Sequence, residues 1–215
     1  MSVVDELITA GRALVDAGLS PGASGNISAI DGERILVSGT GTSLGALSES
    51  DFAVLDLDGT VTGGAKASKE TPLHVGLYRR DPAHRAVVHV HSPQATAFSC
   101  TAPWSEISAV PPLTPYFVMR VGRTPLLPYR MPGSAQLGAD ILEEPGEFRA
   151  ALLANHGSVV AGSTLAKAVE RAVELEEACR IALLTAGTQR RELAPAQVAE
   201  LAERWNGPWP AATVH

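Results

Sequence analysis

The chain has 215 residues, 45% of them hydrophobic, and a formal net charge of −6. Single domains run to roughly 200–250 residues, so residues 1–215 are expected to form one domain. The mean hydropathy is +0.09 and no apolar run reaches the ~18 residues of a membrane span; the acidic balance argues against a nucleic-acid partner, though not against a small anion held by backbone N–H groups.

Val4, Leu7, Gly11, Leu14 and Val15 recur at helical spacing, predicting a helix over residues 4–18 that Gly18 ends. Residues 20–26 are rich in turn formers and read as a loop. Residues 34–38 form a short β-type run before the glycine-rich Ser38-Gly39-Thr40-Gly41-Thr42, and residues 52–57 form another, with Asp58-Gly59 turning into a hairpin partner. A helix over residues 68–80 is expected, capped by Ser68, with Glu70 in its first turn and Pro72 tolerated there. A strand over 86–91 and a short helix over 93–99 follow. Residues 103–132 are proline-rich and irregular, and residues 134–144 are helical. Residues 151–161 read as two strands around Asn155-His156-Gly157. A long helix over 163–185, capped by Ser163, carries Leu165, Val169, Val173 and Ala178 along one side. A last helix spans about 194–204. Strands and helices mix without strict βαβ alternation, which predicts a three-layer α/β/α sandwich on a largely antiparallel sheet.

Cys100 and Cys179 are far apart and match neither a disulfide framework nor a metal knuckle. They read as two buried or semi-buried thiols kept reduced, and residues 1–6 lack a signal-peptide pattern, so the expected compartment is the cytoplasm. There are six histidines. In a strand, His89 and His91 point to one face while Val88 and Val90 point to the other. His-x-His alone more often marks two ordinary surface or hydrogen-bonded histidines. His156, in a polar turn before a glycine, can be aimed into a cleft, and three neutral imidazoles with an open fourth position make a catalytic zinc site. A hydrogen-bonded turn histidine is the plainer reading of it. His84 is expected to be solvated in a turn, His215 is terminal, and His74, one helical turn after Glu70, is expected to pack or hydrogen-bond near the site rather than ligate.

Five segments then come together in order: Ser24-Gly25-Asn26-Ile27-Ser28, Gly39-Thr40-Gly41, Ser68-Lys69-Glu70, His89-Val90-His91-Ser92 and Ala154-Asn155-His156-Gly157. In order and spacing the chain resembles the class II aldolase/adducin family from about Leu7 to about Glu176. The resemblance implies that family's α/β/α sandwich, assembled as a C4 homotetramer with active sites between subunits. It implies one zinc per subunit on His89, His91 and His156, with Glu70 as catalytic acid/base that also touches the resting metal. It places Gly25, Asn26, Thr40, Gly41 and Ser68 around a substrate phosphate. Lys69 stands where the sugar-phosphate aldolases typically carry a small hydroxyl residue. Residues 113–133 look like the 3-oxo-tetronate 4-phosphate decarboxylase subgroup, with Tyr116 where the aldolases carry a catalytic tyrosine. The C-terminal tail, unlike theirs, offers Trp205 and Trp209 but no tyrosine. The implied activity is decarboxylation of 3-oxo-tetronate 4-phosphate to dihydroxyacetone phosphate and CO2 through an enediolate, with Lys69 holding the substrate carboxylate. A sugar-phosphate aldolase or 4-epimerase, and a metal-free adducin-like binding module, are the alternatives.

Overall fold

The computed structural model describes residues 1–22 and 24–210, so Ala23 and His215 lie outside the described residues. Eight strands form one sheet: β1 (Asn26–Asp31), β2 (Arg34–Ser38), β3 (Phe52–Asp56), β4 (Val61–Gly64), β5 (Ala86–Val90), β6 (Leu126–Leu127), β7 (Ala150–Leu153) and β8 (Gly157–Gly162). Their spatial order is β4-β3-β2-β1-β5-β8-β7-β6. Every pairing is antiparallel except β6 with β7. The six helices are α1 (Val3–Asp16), α2 (Thr71–Arg80), α3 (Pro93–Ser99), α4 (Gln136–Glu143), α5 (Leu165–Leu184) and α6 (Pro195–Trp205).

The pleat of the sheet separates two apolar layers. Val88 and Val90 of β5 pack with Leu7 and Leu14 of α1, Phe98 of α3 and Leu175 of α5. Val87, one residue out of phase, packs with Leu73 and Leu77 of α2 and Leu137 and Ile141 of α4. The sheet is thus covered on both faces, giving the expected three-layer α/β/α sandwich. His89 shares the parity of Val87 and therefore faces the α2 layer. No helix among the described residues is long and apolar enough to cross a membrane.

Several elements differ from the sequence expectation. β1 begins at Asn26, inside the segment read as ending a loop, and lies at the centre of the sheet beside β5. Its Asn-Ile-Ser-Ala-Ile-Asp has only two large apolar side chains, because its alternate positions carry polar groups that are buried and hydrogen-bonded. Helix α2 starts at Thr71, with Glu70 as its N-cap residue and Ser68 outside it. Thr164, not Ser163, caps α5, accepting from the Lys167 N–H. Val173 is 42% exposed; the α5 face against the sheet is instead a stripe of small residues, Ala168, Ala172, Ala178 and Ala182, around Leu175. His84 is only 3% exposed, because its Nδ1–H donates to the Leu77 carbonyl at 2.8 Å and folds the ring inward. Cys179 is buried, whereas Cys100, following α3, is exposed. The irregular segment contains β6 and a π-helical turn at Phe117–Val121.

Candidate metal centre

Glu70, His89, His91 and His156 each present one ligand atom, and these four atoms lie within 4.8 Å of one another. Each arrives from a different local structure. His89 is near the end of β5, and His91 follows one residue past it. His156 closes the β7–β8 turn, in which Asn155 takes a left-handed conformation at φ 57°. Gly157 lets β8 come against β5, since a Cβ there would lie 2.7 Å from the Val90 carbonyl oxygen and 3.1 Å from the His91 ring. A Cβ on Gly25, at φ +89°, would lie 2.7 Å from the His89 carbonyl oxygen, so this glycine is also demanded by close approach to β5. Glu176, on α5, accepts from the N–H groups of Gln94 and Ala95 and from Ser92 Oγ, which pins the start of α3 directly after His91.

The donor atoms converge in a way that suits a cation. His89 Nδ1–H donates to the Ser158 carbonyl at 2.9 Å, which leaves a lone pair on Nε2. That Nε2 sits 3.0 Å from His91 Nε2 and 3.2 Å from Glu70 Oε2. His156 Nε2 is 3.1 Å from Glu70 Oε1 but poorly aligned, and both atoms are buried without a hydrogen-bond partner among the described residues. Unpartnered buried lone pairs are costly, and one metal ion among them satisfies all four. The three rings stand edge to face, with centroids 4.8–5.0 Å apart. Burial and the neighbouring His89 and His156 push the His91 pKa down to about 4, which favours the neutral, ligating form. Burial alone would raise the Glu70 carboxyl. His156, His89 and Asn26 together outweigh it and hold the group well below the usual carboxylate range.

Behind Glu70 runs a buried chain that sequence reading only grazed. Asn26 Nδ2–H donates to Glu70 Oε2 at 2.9 Å. His74 Nε2–H donates to Asn26 Oδ1, and Ser28 Oγ lies 2.7 Å from His74 Nδ1 and 2.6 Å from the Tyr78 hydroxyl. These directions are consistent for a neutral His74: Tyr78 donates to Ser28, and Ser28 donates to His74. Burial, with His89 adding to it, pushes the His74 pKa down to about 3, and burial pushes the Tyr78 phenol up. Spacing placed His74 beside the site; Ser28 closes the first of the five segments but had no role assigned to it, and Tyr78 and Ser158 lay in none of them.

The other expected residues divide. Asn26 begins β1, and Gly25, Thr40, Gly41 and Ser68 lie on loops at the same end of the sheet, where a bridge joins Gly39 to Ala67. The Asn26 amide is committed at both ends, to Glu70 and His74, and the Thr40 N–H to the Lys66 carbonyl. Ser68 Oγ accepts from the Glu70 N–H at 3.2 Å. Lys69 is exposed, with no carboxylate within 4.0 Å among the described residues, and a Cβ on Gly133 would lie 2.9 Å from its Cβ. Tyr116 stands apart from the four ligands: it is 54% exposed, with the Arg120 guanidinium 4.9 Å from its ring centroid.

A family model for the class II aldolase and adducin N-terminal domain matches residues 5–183. The 3-oxo-tetronate 4-phosphate decarboxylase of Haemophilus influenzae is 39% identical over 199 residues, covering 92% of this chain and 95% of that protein. The L-fuculose phosphate aldolase of Methanocaldococcus jannaschii is 33% identical over 173 residues, 80% of this chain and 91% of that one. The crystal structure of YgbL from Klebsiella pneumoniae superposes with a TM-score of 0.88 at 36% identity, covering 93% of this chain and 97% of that chain. A family match over most of the length, the same sandwich, and a four-donor cluster on the expected residues agree: the chain belongs to the class II aldolase and adducin family.

Proposed function

We propose that the chain is a zinc-dependent carboxy-lyase that converts 3-oxo-tetronate 4-phosphate to dihydroxyacetone phosphate and CO2. The observation that carries this reading is the complete Glu70, His89, His91 and His156 cluster in a chain 39% identical to a decarboxylase of that name over nearly its whole length. The metal supplies Lewis acidity, an electron sink beside the bond that breaks. Three neutral imidazoles are a ligand set that zinc favours in catalytic sites, with a position left for substrate.

The residues then have distinct tasks. Gly41, with the Thr40 and Ser68 hydroxyls and the Gly25 turn, cradles the phosphate at the strand ends. Lys69 places its unpaired ammonium against the substrate carboxylate, orienting the carbon–carbon bond to be cleaved. As CO2 leaves, the bonding pair passes toward the adjacent ketone, and a proton must return to the carbon that lost the carboxylate. Glu70 delivers it. His156, His89 and Asn26 hold the resting carboxyl ionised, so it takes up a proton before it delivers one, and the Asn26 amide fixes its orientation through Oε2. Tyr116, exposed on its own subunit, serves the site of a neighbour in a C4 tetramer. Residues 1–215 act as one domain.

An aldolase reading rests on the 33% identical L-fuculose phosphate aldolase, since the same electron sink serves retro-aldol cleavage. One experiment separates the two. Purified protein is incubated with 3-oxo-tetronate 4-phosphate or L-fuculose 1-phosphate, and CO2 and dihydroxyacetone phosphate are assayed, with metal content measured before and after chelation. CO2 release from the oxo acid, lost with about one zinc per chain, is expected. Dihydroxyacetone phosphate from fuculose phosphate without CO2 from the oxo acid supports the aldolase, and full activity after metal removal overturns both readings.

A further inference from the structure

At the opposite end of the central strands from the metal centre lies a second concavity, of about 830 Å³. Its floor holds His84, which precedes β5, Arg149, which precedes β7, and Ser163, which follows β8. His84 lies five positions before His89, roughly 17 Å at strand rise. The cleft is therefore remote from Glu70 and the three ligand histidines.

Four arginines and three carboxylates line it, and Arg79 pairs with Asp58. Arg80, Arg149 and Arg171 line it, and none has a carboxylate within 4.0 Å among the described residues. Their hydrogen bonds among the described residues go to backbone carbonyls: Arg149 to Asn206 at 2.6 Å, Arg171 to Arg120 at 3.0 Å and to Ala161, and Arg80, which also stacks over the Phe148 ring, to the end of α4 and the turn after it. Anchoring spends one nitrogen of Arg149 and two of Arg171, so each guanidinium keeps donors free. Burial, then the proximity of Arg149, pushes the Arg171 pKa down to about 10, and burial lowers Arg149 as well. His84 is held at Nδ1 by Leu77, and its buried Nε2 has no hydrogen-bond partner among the described residues. The nearest acid, Asp81, is 3.8 Å from it and half exposed. Glu144 and Glu147 also border the cleft, but Glu144 is engaged by Arg123.

We propose that this cleft binds a phosphate-bearing small molecule, held by Arg149 and Arg171 against His84 and Ser163. Two guanidinium forks and a hydroxyl approach from different elements, which suits a tetrahedral dianion better than a planar carboxylate. His84 Nε2 completes the set, accepting from a phosphate hydroxyl or, once protonated, donating to an oxygen. The positive end of the 20-residue helix α5 opens beside Ser163 and adds to the attraction. The volume falls within the roughly 300–1,000 Å³ of small-molecule sites. This second site is independent of the reaction proposed above.

The test combines a soak and a titration. Crystals of the wild-type protein soaked in sodium tungstate should show an anomalous peak between Arg149 and Arg171. Calorimetry with inorganic phosphate should show a binding event that Arg149→Met weakens by tenfold or more, while kcat/KM for the catalysed reaction stays unchanged. Arg149→Lys, which keeps the charge but not the fork, should weaken it as well. Absence of the tungstate peak, or an isotherm unaltered in a folded Arg149→Met protein, overturns the proposal. The soak needs no variant and decides the matter if Arg149→Met does not fold.

Discussion

Two opposing influences meet on Glu70: burial favours its neutral form, and the three groups around it favour its charge. Glu70→Gln keeps the shape and the contact with Asn26 but removes the exchangeable proton. The three imidazoles still bind metal, so zinc content and melting temperature should stay near wild type while kcat falls by at least about 100-fold, the usual loss for a general acid/base. A variant that keeps most of its rate removes Glu70 from the chemistry. Lys69 is a separate case. A lysine in the first turn of a helix works against the helix dipole, but Lys69 precedes the N-cap and escapes that cost. What singles it out is an exposed ammonium with no carboxylate partner among the described residues, next in sequence to Glu70. Holding a substrate carboxylate acts on binding more than on the chemical step. Lys69→Ser should therefore raise KM for the oxo acid phosphate by about tenfold, the loss of one charge-assisted contact, with metal content intact. Unchanged kinetics would make Lys69 a surface residue.

At the scale of elements, the chain from Tyr78 to Glu70 ties α2 to β1 through Ser28, His74 and Asn26, and it demands a neutral His74. The pH dependence follows. A histidine whose folded pKa is about 3, against 6.5 for the free side chain, contributes its full stability above pH 6.5 and loses it as pH falls toward 3. His84 is shifted the same way. Urea midpoints of the chelator-treated protein should fall between pH 7 and 5, and His74→Gln should shallow the decline by up to about 1.4 kcal/mol per pH unit. Equal slopes in the two proteins would mean that His74 is charged in the fold. This same region marks how far the sequence could be read. The strands at 34–38 and 86–91, the β7–β8 turn and the long helix were legible because hydrophobic runs bounded by turn residues announce them. Residues 26–31 gave no such signal, since Ser28 and Asn26 look like loop residues until His74, Tyr78 and Glu70 pair with them from 44 to 50 positions away. His84 misled for the same reason: its carbonyl partner Leu77 is set by the end of α2, not by its own turn. The cluster of candidate ligands was legible as spacing, His89 and His91 two apart at the end of one strand and His156 before a glycine. The employment of the Asn26 amide was not, because a side chain's partner across the sheet leaves no mark in local sequence.

For the whole molecule, Glu70 and Tyr116 are placed differently within one subunit. Glu70 faces the α2 layer among the histidines, while Tyr116 precedes the π-helical turn beside α5, where Arg120 pairs with Glu170 and Glu174. On the proposed C4 assembly, this tyrosine, 54% exposed and outside its own metal cluster, acts where a neighbour's surface meets it. Light scattering should give a tetramer at working concentration, and a monomer would count against the shared site. Complementation asks more. Glu70→Gln and Tyr116→Phe should each be nearly inactive as pure proteins. Dissociated, mixed in equal amounts and reassembled, they form rings in which each site draws one residue from each of two neighbours. If those residues segregate at random, about one site in four has both wild-type groups and the mixture recovers roughly a quarter of wild-type activity. Were both groups to act within one subunit, every site in every hybrid would carry one defect and no activity would return. The recovered fraction thus reports which subunit supplies Tyr116, independently of the identity of the substrate carbon that Glu70 protonates.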